Sequence, residues 1–188
     1  CYVGHHRLLR LRDSYDLKIN WCFLEIHPEI PKEGEPIDSL DYPSEQWQKM
    51  LDNLERIATE ENIPLSTIDF ITNSKDALLF SETAKQCGRN VFYELHEKLF
   101  SAYFVDGKNI GDRNVLTEIA QSCAVEQTVI DSSWTDQKYK QRIFENFNSA
   151  RKHNIQSVPN FVFDDRLLTA VVTEAVFRDA AEQLLATS

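Results

Sequence analysis

The spacing of apolar positions changes character twice along the chain. Between His5 and about Tyr15, Leu8, Leu9 and Leu11 recur as on a short amphipathic helix that also carries Arg7, Arg10 and Arg12. "LKINWCFLEI" then alternates, with Leu17, Ile19, Trp21 and Phe23 on one face and Lys18, Asn20, Cys22 and Leu24 on the other. That period of two predicts a buried strand. "HPEIPKEGEPIDSLDYP", rich in Pro and Gly, predicts a loop.

Helical spacing returns after Pro43. Trp47, Met50, Leu51, Leu54 and Ile57 follow Ser44, a candidate N-cap. A second helix in "SKDALLFSETAKQCGRN" is expected to stop at Gly88, and a third covers "VFYELHEKLFSAYF" with Phe92, Leu95, Leu99, Phe100 and Tyr103 inward. Asp112 caps a fourth, which carries Val115, Leu116, Ile119 and Cys123. A fifth runs from about Thr135 to His153 on Tyr139, Ile143, Phe147 and Ala150. "PNFVFDD" and "RLLTAVV" then read as an antiparallel hairpin, and Thr173 caps a last helix on Val176, Phe177, Ala180 and Leu184.

This order predicts an α/β fold, a sheet layered by helices and interrupted by a large all-helical insertion. One strand and a hairpin make a thin sheet. A further strand ahead of residue 1, or one lent by a partner chain, is therefore expected to complete it.

Composition narrows the function classes. The 188 residues are 42% hydrophobic and 27% charged, in the range of a folded globular chain. A net charge of -10 argues against nucleic acid as partner, and no apolar run approaches the ~18–20 residues that cross a bilayer. The four cysteines (Cys1, Cys22, Cys87 and Cys123) are scattered and lack zinc-knuckle spacing, so a reducing, cytoplasmic setting is expected. Cys22, Cys87 and Cys123 read as packed small hydrophobes. His27, His96 and His153 stand isolated, and no metal is expected.

Two features carry candidate chemistry. Cys1 opens a helix, where the macrodipole favours a thiolate, and His5 lies one turn on, placed to tune it. "SVPNF" puts Pro159 at the entrance of a strand, where proline cannot donate to the ladder. Pro159 marks either an edge strand or plain turn, or a cis-proline loop beside a site.

Taken together, these features resemble the DsbA-like branch of the thioredoxin superfamily, and within it the FrnE-type cytoplasmic members. The family reads "CPWCYVG" at its active site, and "CYVG" at Cys1–Gly4 is similar to its second half. "FLEIHPEIPKEG" from Phe23 to Gly34 resembles the family's F-x-L-x-P-x-x-P-x-E-G. "LFSAYFVDGKNIGDRNVL" from Leu99 to Leu116 is similar to a run in its insertion, and "SVPNF" from Ser157 to Phe161 to its "GVPTF". Ser157 and Asn160 depart from the commoner Gly and Thr, Thr169-Ala170-Val171 from Gly-Ala-Gln, and Leu78 from a frequent His.

The resemblance implies a thioredoxin-like domain over 1–35 and 136–188, lacking its first strand, around a helical insertion over 36–135. It implies a thiol–disulfide oxidoreductase in which Cys1 is the second, resolving cysteine of a CxxC and faces a cis-proline at Pro159. Val158, with Ser157 and Tyr2 beside it, would meet the substrate, a thiol or disulfide protein or small molecule. No cofactor is implied, although glutathione is an admissible co-substrate, and a homodimer is admissible too. Two alternatives stay open: a glutathione-dependent isomerase or transferase of the 2-hydroxychromene-2-carboxylate isomerase type, and a non-catalytic thioredoxin-like binding module.

Overall fold

Segments that repeat at 3.6 residues need only their own backbone to close their hydrogen bonds, and they dominate the fold. The computed structural model describes residues 1–39, 44–164, 166–169 and 172–187. In chain order the elements are α1 (Tyr2–Arg12), β1 (Glu35–Pro36), α2 (Ser44–Glu60), β2 (Phe70–Ile71), α3 (Lys75–Ala84), α4 (Arg89–Phe104), α5 (Arg113–Ser122), α6 (Gln127–Thr135), α7 (Gln137–Lys152), β3 (Asn160–Phe163), β4 (Arg166–Thr169) and α8 (Glu174–Thr187). The chain forms two compact units: Cys1–Trp21 with Ser149–Ser188, and Cys22–Asn148. Among the described residues no helix is long and apolar enough to cross a membrane.

In the first unit β3 and β4 pair antiparallel, with Phe161 opposite Leu168 and Val162 opposite Leu167. Because side chains alternate across a strand, Phe161 and Phe163 face the core while Val162 and Leu167 face outward and are exposed. The core gathers Leu8 and Leu11 of α1, Leu168 of β4, Val172, and Phe177, Ala180 and Ala181 of α8. Tyr15, Leu17, Ile19, Trp21, Phe161 and Phe163 pack around it. Phe177 is wholly buried, with the rings of Phe161 and Phe163 at centroid distances of 4.7 and 6.0 Å. Thr173 precedes α8, and its Oγ1 accepts from the amide of Val176 at 3.4 Å. Val176 itself points outward.

In the second unit the helices pack on Phe80, Leu95, Leu116 and Ile130, all fully buried. Asp112 does cap α5, accepting from the amide of Asn114 at 2.8 Å. A bonded polar cluster ties loops to helices here. Asp76, buried in the first turn of α3, accepts from Lys32 Nζ at 2.8 Å and from Arg113 Nε at 2.7 Å. Its backbone carbonyl takes the indole N–H of Trp134 at 3.2 Å, and the Arg113 guanidinium lies over that indole, 4.7 Å from the ring centroid. Nearby, the buried Asn73 donates to the carbonyl of Ile30 at 2.6 Å.

Several sequence expectations need correction. The first helix starts at Tyr2 and stops at Arg12, rather than running from His5 to Tyr15. Leu17–Leu24 is not a strand: it keeps the alternation, with Leu17, Ile19, Trp21 and Phe23 inward, yet has no ladder partner among the described residues. Alternation buries one face of a segment, but only a neighbouring strand makes it a ladder. The same alternation turns Cys22 outward, so it is exposed and not packed.

Within the expected loop after His27, Glu35–Pro36 pairs with Phe70–Ile71, and Ile37–Ser39 makes a 3-10 turn. Gly34 allows that pairing: its φ is +79°, and a Cβ there would lie 2.8 Å from the carbonyl oxygen of Ile71. The second predicted helix ends at Ala84 and tightens into a 3-10 turn over Lys85–Cys87 before Gly88. α6 was not expected at all, because "QTVIDSSWT" has too few apolar residues to display a period. Met50 and Phe147, expected inward, are about half exposed. The side chain of Ser44, together with Asp165, Ala170 and Val171, lies outside the described residues.

Candidate active site

Cys1 stands at the N-cap position of α1, and its carbonyl accepts from the amide of His5 at 2.9 Å, closing the first helical turn. Its side chain is exposed. Such a place is unusual in this helix, where Tyr2, Val3, Gly4, His5, Arg7, Leu8 and Leu11 are all buried. A thiol at a helix start meets the positive end of the peptide dipoles and backbone N–H groups with no partner within the helix.

The proline loop closes on itself. The Val158–Pro159 peptide bond is cis, and the side-chain amide of Asn160 donates back to the carbonyl of Ser157. Ser157 is exposed, while Val158, Pro159 and Asn160 are half-buried. β3 begins at once after the proline, so the ladder fixes the loop on that side.

Gly4 joins these two elements. A Cβ built on it would lie 2.8 Å from Cζ of Phe161 and 3.7 Å from Cγ of Pro159. The first turn of α1 therefore sits directly on the proline loop. The structure thus sets Gly4, in the helical turn that begins at Cys1, against Pro159 and Phe161.

Tyr2 and His5 are both buried. The Tyr2 ring is set edge-on to His6 at 4.6 Å. The His5 ring lies 5.8 Å from that of Trp21 and 5.7 Å from that of His6.

Gly4 and Phe161 are the site residues that sequence reasoning missed. The available signal was a glycine one turn inside a helix, where it costs roughly 0.5–1 kcal/mol against alanine and so calls for a packing reason. The remaining cysteines differ from Cys1. Burial pushes the thiols of both Cys87 and Cys123 up, with the charge of Glu126 adding to the effect at Cys87. Among the described residues no group of three or more His, Cys, Asp or Glu is arranged to hold a metal ion.

Residues 1–184 match the family model of the DSBA-like thioredoxin domain. The chain is 23% identical over 185 residues to "Uncharacterized protein YwbO" of Bacillus subtilis, covering 96% of this chain and 88% of that protein. Its backbone superposes with a TM-score of 0.70 on a crystal structure from Nitrosomonas europaea described as a "putative protein disulfide isomerase", at 15% identity, covering all of this chain and 90% of that one. The architecture is an α/β thioredoxin fold carrying a helical insertion. On the match across nearly its whole length, the chain belongs to the family of DSBA-like thioredoxin domains.

Proposed function

We propose that the protein is a dithiol–disulfide oxidoreductase in which Cys1 is the resolving cysteine of a C-x-x-C whose first member stands three positions before it. The observation that carries this reading is an exposed thiol at the start of a helix whose first turn rests on Pro159 and Phe161. In the cycle, the first thiolate attacks a substrate disulfide and expels one substrate thiolate. Cys1 thiolate then attacks the mixed disulfide and expels the other. Two electrons pass to the substrate, and the protein is left with an internal disulfide. Val158 and Ser157 offer backbone groups to an extended substrate, and Pro159 keeps that backbone beside the thiol.

Insulin reduction by the full-length protein and its Cys1→Ser variant tests the assignment. The variant is expected to lose at least ten-fold in turnover and to accumulate a mixed disulfide. Equal rates, or a residue other than Cys three positions before Cys1, defeat the dithiol cycle. Saturable glutathione binding without disulfide reduction points to the isomerase or transferase chemistry instead.

A further inference from the structure

We propose that Gly4 is a positioning residue for the Cys1 site: its missing Cβ sets the spacing between the thiol-bearing helix start and the proline loop. The inference rests on the oxidoreductase reading above. Its geometry comes from the loop side. The Cβ of any other residue at position 4 would stand 2.8 Å from Cζ of Phe161 and 3.6 Å from Cε2. Carbon atoms settle at about 3.5–4.0 Å.

Phe161 is half-buried, and two contacts limit how far it can yield. Its ring stands edge-to-face on that of Phe177, which is fully buried, and its backbone pairs with Leu168 in the β3–β4 ladder. A methyl group at position 4 would therefore move one of two other things. One is the start of β3, where Pro159 lies with Cγ 3.7 Å from the same Cβ position. The other is the first turn of α1, which carries Cys1. Either movement alters the spacing between the Cys1 helix start and the proline loop, and with it the approach of a disulfide to the Cys1 thiol.

The experiment uses the full-length protein, its Gly4→Ala variant and the Gly4→Ala/Phe161→Leu double variant, which removes the obstructing end of the ring. Two rates are read: insulin turnover with dithiothreitol as the electron donor, and S-glutathionylation of Cys1 by glutathione disulfide, followed by mass in a background where the cysteine three positions before Cys1 is replaced by Ser, so that no neighbouring thiol displaces the glutathione. In the second reaction Cys1 thiolate attacks one sulfur, the Cys1–glutathione disulfide forms and glutathione thiolate leaves. The exposed Cys22, in the other compact unit, is the internal reference.

Gly4→Ala is expected to lower insulin kcat about ten-fold and the Cys1-to-Cys22 rate ratio about five-fold, and the double variant to recover most of both. An unchanged ratio in Gly4→Ala, or no recovery in the double variant, overturns the proposal. If Gly4→Ala alone does not fold, the double variant must fold and show the wild-type ratio; its failure to do so also overturns it. A wild-type protein that does not reduce insulin refutes the oxidoreductase reading alone, since the glutathionylation ratio tests Gly4 without turnover.

Discussion

The helical unit, Cys22–Asn148, and the unit that carries Cys1 hold their key loops in place by different means. In the helical unit the loop at Lys32 and the start of α5 converge on one buried carboxylate, Asp76, through directional, charge-assisted bonds. In the other unit the Ser157–Pro159 loop meets α1 through apolar contact, at a position where the helix carries no side chain. Arg7, a buried charge of that unit, donates to the carbonyl of Val172 at 2.8 Å, toward the start of α8. One unit is therefore sensitive chiefly to charge at its key loop, the other to volume.

Core truncation is the largest test of this contrast. Phe177→Ala removes the ring on which Phe161 and Phe163 rest, and should cost about 3–5 kcal/mol by urea unfolding. Phe80→Ala in the helical unit should cost about as much. Only the Phe177 change, however, should also slow turnover beyond the loss of folded protein. Equal turnover per folded molecule in both variants would break the link between that core and the site.

Polar deletions come next. Asp76→Asn leaves Lys32 and Arg113 without their shared anion and should cost about 2–3 kcal/mol, since hydrogen bonds to charged groups contribute ~1.5–3 kcal/mol. Arg7→Met, which leaves the Val172 carbonyl without this donor, should cost about 1.5–2 kcal/mol on the same scale. A loss below about 0.5 kcal/mol in Asp76→Asn would mean that solvent replaces the cluster, and the charge-held description of the helical unit would fall.

The smallest effect is a pH dependence. Burial alone would raise the Asp76 carboxyl, but hydrogen bonds and charge from Arg113 and Lys32 outweigh it and hold the group below its ordinary value of 3.8. A depressed folded-state value means stability that is present above pH 3.8 and lost as pH falls through the folded value. Urea midpoints of the wild type should therefore decline more steeply below about pH 4 than those of Asp76→Asn. Parallel curves would remove Asp76 from the acid response.

Much of this was legible in the residue pattern. The Asp112 cap, the β3–β4 hairpin and the buried positions Phe92, Leu95, Leu99, Phe177 and Ala180 follow from spacing, because a helix or a tight hairpin is specified by neighbours in sequence. The alternation from Leu17 to Phe23 located a buried face correctly and still did not yield a strand, because strand pairing depends on a neighbour from elsewhere in the fold. Within the site, Cys1 and Pro159 stood out by residue type. Gly4 and Phe161 did not, since a close approach between residues so distant in sequence leaves only a small glycine as its trace.

By itself the sequence determined the helices other than α6, the hairpin and the two chemically unusual positions, Cys1 and Pro159. These rest on local backbone bonding, periodicity and side-chain chemistry. The tertiary structure alone decided that Cys22 faces solvent, that Asp76 gathers Lys32, Arg113 and Trp134, and that Gly4 lies against Phe161 and Pro159. Each of these depends on where separate segments come to rest, and close packing turns such placements into contacts that a single methyl group would disturb.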